Sequence, residues 1–167
     1  MLTISLIEES LLLPVPPDER YVDSPFIHLK QMQPKQKGSR MEKIVRSVFL
    51  KVGREVKDPT STDYDMLLDG EKCEIKGSTL QTRGKKSKFS FLQIRPDQDY
   101  DCILFVMFYP QELIVMRMNK ETAQARIEDG TLRKQHGGKA ANSRTFCYFG
   151  NEEDLLNIGA TKILQLN

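Results

Sequence analysis

At 167 residues, with 39% apolar and 29% charged residues, the chain is long enough for one domain with a real core and has an ordinary globular composition. A net charge of only +2 excludes a bulk electrostatic case for nucleic acid, so any DNA-binding surface must come from local segregation of charge. Three widely spaced cysteines without a CxxC pair argue for a reducing compartment and against a zinc site, and no targeting segment or membrane-length apolar run is legible, so the expected setting is cytoplasmic, with no membrane partner.

In chain order, residues 2–13 read as a short strand or helix, ended by the breaker Pro14-Val15-Pro16-Pro17. Residues 21–37 read as polar and irregular, so 1–37 is expected to be an N-terminal arm. The first clear helix is predicted over 39–52. Met41, Ile44, Val45, Val48, Phe49 and Val52 recur at helical spacing, and Gly53 suits the position just past the end. Glu42 has two readings. It completes a capping box with Ser39, or it serves a site, because it borders the buried stripe. The opposite face, with Arg40, Lys43, Arg46, Lys51 and Arg54, reads mostly as solvated surface.

A turn over 57–62 delivers the chain to residues 63–77, the most informative stretch. Asp69-Gly70 is a strong hairpin signal, because a type I′ turn needs positive φ at both central positions. A two-residue loop sets Leu68 against Glu71, Met66 against Cys73 and Asp65 against Glu74. Side chains alternate along a strand, so Glu74 and Lys76 share one face while Cys73 and Ile75 share the other. Two facing carboxylates repel. A divalent cation between them removes the conflict, and hard oxygen ligands suit Mg²⁺. A lysine beside them can orient a water or stabilise developing negative charge.

Asp65, followed on the next strand by Glu74-Ile75-Lys76, resembles the signature of the PD-(D/E)xK nuclease superfamily, most closely that of type II restriction enzymes. The proline of the family name is absent, Tyr64 standing before Asp65, which leaves Asp63 as an alternative ligand. The resemblance spans roughly 38–118. It implies a restriction-endonuclease-like α/β core, a mixed central sheet flanked by helices. It also implies Mg²⁺ on Asp65, Glu74 and the Ile75 carbonyl, with Lys76 positioning the attacking water. A Glu on the preceding helix, in a Gly-x-x-x-Glu context like Gly38 to Glu42, recurs in several branches.

Beyond the hairpin, 78–88 reads as a basic loop whose Arg83, Lys85, Lys86 and Lys88 can hold a phosphate backbone. Residues 89–95 alternate as a strand, with Gln93 and Arg95 as further candidate DNA contacts. The apolar run 102–108 reads as a central strand buried on both faces. Strand 113–118 follows. Asn119 then caps a helix over 120–128, stopped by Asp129-Gly130. In the polar loop over 133–145, Arg133, Lys134, His136, Lys139, Asn142 and Arg144 are the residue types that read base edges in the major groove. Strand 145–149, a short helix over 152–158 and an edge strand over 162–166 close the chain, 119–167 forming the C-terminal part.

The expected function is Mg²⁺-dependent hydrolysis of double-stranded DNA at a specific sequence. A homodimer supplies two active sites, and a separate cognate DNA methyltransferase is a possible companion. Two other readings stay open: a structure-selective junction resolvase or repair nuclease, and a non-catalytic DNA-binding module.

Overall fold

A computed structural model describes residues 18–83, 86–135 and 144–167. Asp69 (φ 51°) and Gly70 (φ 89°) both take the left-handed conformation that the turn demands. They join β2 (Met66–Leu68) to β3 (Glu71–Thr79), with Met66 opposite Cys73 and Leu68 opposite Glu71, the register the sequence implies. With β1 (Val56–Lys57), β6 (Cys102–Phe108), β7 (Leu113–Asn119) and β10 (Thr161–Leu166), they form a six-stranded sheet in the order β1-β2-β3-β6-β7-β10. β3 and β6 run parallel and the other pairs antiparallel, so the sheet is mixed. Every residue of β6 is buried, as its unbroken apolar run requires of a central strand. The fold class is mixed α/β.

One face of the sheet is covered by α1 (Ile27–Gln31) and α2 (Pro34–Lys51). Met41, Val45 and Phe49 of α2 pack there on Cys73, Ile75, Cys102, Leu104 and Val106. Gly77 lies beneath the helix, where an added Cβ would stand 2.7 Å from Met41 Sδ. The other face is not simply flanked by helices. A second sheet of four strands, β4 (Gln81–Arg83), β5 (Lys86–Ile94), β9 (Phe146–Gly150) and β8 (Arg133–Lys134), shares that cover with α3 (Lys120–Glu128) and α4 (Glu152–Asn157). Phe89, Phe91 and Ile94 of β5 meet Ile103, Phe105 and Met116 of the main sheet, joined by Ala123 and Leu155.

The structure corrects three readings. α2 starts at Pro34, with extended Gln33 before it, so Ser39 and Glu42 lie inside the helix and form no capping box. A proline needs no donor at the first helical position, which makes 34 a better start than 39. Residues 21–37 are not irregular throughout: a 3-10 turn (Glu19–Tyr21) runs into them, α1 lies within them, and Lys35 and Lys37 already belong to α2. The described part of 78–88 is strand rather than loop, since Gln81, Thr82 and Arg83 pair with Lys88, Ser87 and Lys86.

The C-terminal signals are local and hold. Asn119 Oδ1 accepts from the Thr122 N–H at 2.8 Å, and Asn151 with Asp154 forms a capping box at the start of α4. Gly130 (φ 79°) follows the end of α3. Among the described residues, no helix is long and apolar enough to cross a membrane.

Candidate active site

β2 is short, and its shortness opens a site. It begins at Met66, so β3 continues past it and, among the described residues, no strand pairs with β3 on that side beyond Cys73. The chain turns away at Asp65, whose own N–H reaches the Cys73 carbonyl at 2.9 Å. The Asp65 carboxylate then takes the place of the missing strand, and its Oδ2 accepts the Ile75 N–H at 2.6 Å. The N–H and C=O of one strand residue face the same edge, so the Ile75 carbonyl also opens toward Asp65.

Two other contacts hold Asp65 in place. Arg46 of α2 donates from Nη1 to the Asp65 carbonyl at 3.1 Å and pairs through Nη2 with Asp58. The Tyr64 ring is buried, and its hydroxyl closes the preceding loop on the Thr60 N–H at 3.0 Å and the Thr60 hydroxyl at 2.8 Å.

Glu74 pairs with Ile103 and so lies on the face opposite α2. It is buried, at 7% exposure, and Lys76 Nζ donates to its Oε1 at 2.5 Å. Burial pushes the Glu74 carboxyl up to about 7. Lys76 opposes the rise, while Asp65 adds to it. Glu42 stands on α2, half-buried and within reach of the charges of Asp65 and Lys76. Its carboxyl is also raised, first by burial and then by the Asp65 charge, with Lys76 acting in the other direction.

The structure therefore brings Asp65, Glu74, Lys76 and Glu42 to one sheet edge, reached from both faces. The Asp63 N–H bonds to Ser61 Oγ at 3.2 Å, in the loop that leads into Asp65. Among the described residues, no three His, Cys, Asp or Glu side chains form a group able to hold a metal ion. Mg²⁺ commonly takes one or two carboxylates and completes its shell with water and phosphate. Asp65, Glu74 and the Ile75 carbonyl are a donor set of that kind.

The candidate DNA contacts are more scattered. Lys88 pairs with Asp154 at 3.4 Å and shares a recess of about 240 Å³ with Arg133. Lys86 is exposed, and Arg144 lies 3.8 Å from Asp97. Gln93 does not point inward as the alternation implies. A register shift between Phe91 and Ile94 puts Ile94 in the core and leaves Gln93 exposed at φ 57°, its N–H on Gln135 Oε1 at 2.7 Å. Arg95 is exposed beyond the bulge, as are Arg133 and Lys134 on β8. Lys85, His136, Lys139 and Asn142, and the side chain of Arg83, lie outside the described residues.

Sequence reasoning missed Arg46, although its i,i+4 spacing from Glu42 was available as a signal. It also missed Tyr100, which is 2% exposed and has a hydroxyl without a hydrogen-bond partner. Burial pushes the Tyr100 hydroxyl's pKa up, and the Glu74 charge adds to this. No local pattern marks a tyrosine in a turn as part of a site on another strand. No family model matches this sequence, and no curated protein matches it.

Proposed function

We propose that the chain is a Mg²⁺-dependent endonuclease that hydrolyses double-stranded DNA, of the PD-(D/E)xK kind and most like a type II restriction enzyme. The observation that carries this reading is that Asp65 caps the β3 edge at the Ile75 N–H, the residue between Glu74 and Lys76, which pair with each other, and that the Asp65 charge acts on Glu74. A structural role alone gives no reason to set the half-buried Asp65 beside the buried Glu74 at a sheet rim. The reading takes the mixed α/β fold, with a helix before the β2–β3 hairpin and with β3 parallel to β6, as a restriction-endonuclease-like core.

Asp65, Glu74 and the Ile75 carbonyl would hold Mg²⁺, which when bound acts as a Lewis acid on the scissile phosphate and lowers the pKa of a bound water. Lys76 orients the attacking water and stabilises the negative charge that grows as the water loses its proton. Glu42 holds a water at the same edge. Hydrolysis forms one bond from the water oxygen to phosphorus and breaks one P–O ester bond, and the departing oxygen takes up a proton. Arg46 positions Asp65 through its carbonyl.

Cutting both strands with one small domain calls for a homodimer on a symmetric site. A restriction role implies a cytoplasmic setting and a methyltransferase acting separately. The test is digestion of plasmid DNA by the purified protein in Mg²⁺ and in EDTA, with Lys76→Ala as control. Discrete fragments support the site-specific reading, and cutting confined to branched substrates points to a resolvase. Binding without cutting sinks the nuclease reading.

A further inference from the structure

Helix α2 is charged out of proportion to the whole chain. It carries six basic residues (Lys35, Lys37, Arg40, Lys43, Arg46 and Lys51) against the single acid Glu42, in a protein of net charge +2. Elsewhere many of the described cations are neutralised: Lys30 by Asp18, Arg54 by Asp69, Lys72 by Asp99 and Arg117 by Glu71. On α2, Arg46 is held by Asp58. Lys35, Arg40 and Lys43 have no ion-pair partner among the described residues, and all three are exposed.

These three cations also share a shape. With Met32, Gln36 and Ser39 they line a recess of about 440 Å³ on the side of α2 away from the sheet. Lys35, Ser39 and Lys43 follow one another at four-residue steps, so the row climbs about 6 Å per step and spans about 12 Å. That spread is too wide for one small anion and suits a polymer that repeats its charge. Lys35 lies seven residues before Glu42, close to two turns, so that end of the recess stands about 10 Å from Glu42 along the axis, while Lys43 at the other end is its chain neighbour.

We infer that the outer face of α2 around Lys35, Arg40 and Lys43 is a docking surface for the phosphate backbone of duplex DNA. The inference rests on the nuclease reading for the identity of the polymer. Along the helix, the recess holds the flanking duplex while the edge bearing Asp65 and Glu74 meets the scissile phosphate. Contacts of this kind carry affinity and register without reading sequence.

The test uses the intact protein in EDTA, so that no cutting is needed, with a fluorescein-labelled DNA duplex and anisotropy read over a series of NaCl concentrations. The variant Lys35→Gln/Arg40→Gln/Lys43→Gln is expected to lose at least about tenfold in affinity, with a salt slope shallower by about 0.9 for each phosphate contact removed. Replacing Lys35 and Lys43 by Arg keeps the charge and is expected to bind as the parent does. Lys57→Gln, at an exposed lysine paired with Glu55, is the control and is expected to change nothing.

An unchanged affinity and slope in the triple variant, with an unchanged circular dichroism spectrum, would overturn the inference. Absence of salt-dependent duplex binding by the parent, or tighter binding of a double-stranded RNA of the same sequence, would overturn it too. If the duplex binds and the variant loses it, yet Mg²⁺ never yields cut plasmid, the surface stands and the nuclease reading falls.

Discussion

Lys76 donates to Glu74 at 2.5 Å from two positions along the same strand face, which makes the pair an i,i+2 ion pair with both side chains largely out of water. The pair is therefore sensitive to loss of either member. Lys76→Ala is expected to abolish Mg²⁺-dependent plasmid cleavage, by at least about a hundredfold, through loss of the charge facing the nucleophile. Anisotropy in EDTA should show duplex binding within a few-fold of the parent. Cleavage that survives in Lys76→Ala would remove the lysine from the chemistry.

The raised Glu74 carboxyl makes a stability prediction with a definite sign. Its value moves from 4.5 to about 7, so the folded state holds its proton more tightly than the unfolded state does. The stability this contributes is fully present below about pH 4.5 and is lost as pH rises through about 7, an effect of up to roughly 3 kcal/mol. Thermal melts in EDTA should therefore show Glu74→Gln gaining on the parent as pH rises from about 5 to about 8. Equal Tm differences at both ends would refute the coupling. Mg²⁺ should narrow the gap at pH 8 for the parent alone, because bound cation favours the ionised form.

Glu42 separates a cap from a site. A capping residue replaced by one that cannot cap costs about 0.5–2 kcal/mol. Here Glu42 lies eight positions past the start of α2, and burial and Asp65 raise its carboxyl. Glu42→Gln should therefore leave Tm at pH 8 unchanged or slightly higher, while cleavage drops by about tenfold or more. A lower Tm with undiminished cleavage would return Glu42 to a structural role.

Gly77 allows α2 to sit close to the sheet. A Cβ there would meet Met41 Sδ at 2.7 Å and Met41 Cβ at 3.1 Å. Met41 is 1% exposed, so it has little room to move. Gly77→Ala is expected to cost about 1–3 kcal/mol in urea unfolding and to lower cleavage, since Met41 is the neighbour of Glu42. Adding Met41→Ala should recover part of the stability. A Gly77→Ala protein as stable and active as the parent would show that the helix has slack.

The hairpin was legible because Asp69-Gly70 carries its own geometry, and counting outward gives the pairing as far as Met66 and Cys73; Asp65 does not continue the ladder to face Glu74 but turns out of it and puts its carboxylate on the Ile75 N–H. The caps at Asn119 and Asn151 were local in the same way, although only the first was read from the sequence. The start of α2 was misread because Ser39 and Glu42 imitate a capping box, while the proline signal at 34 sits in a basic stretch that looks like loop. The bulge in β5 was not legible at all. It arises where Phe91 and Ile94 pair with Tyr148 and Phe146, more than fifty residues away, and period two along one strand carries no trace of that. The second sheet was missed for the same reason.

The Asp69-Gly70 turn has a consequence beyond joining two strands. It acts as a ruler: its length alone decides that Asp65 arrives level with the place where β3 runs out of a neighbour. One residue more in that loop would slip β2 against β3, which its parallel pairing with β6 holds in place, and would carry Asp65 off the Ile75 N–H. Chemistry at this rim is therefore bound to loop length as tightly as to side-chain identity, and length changes at 69–70 should be lethal to it where most surface loops absorb them.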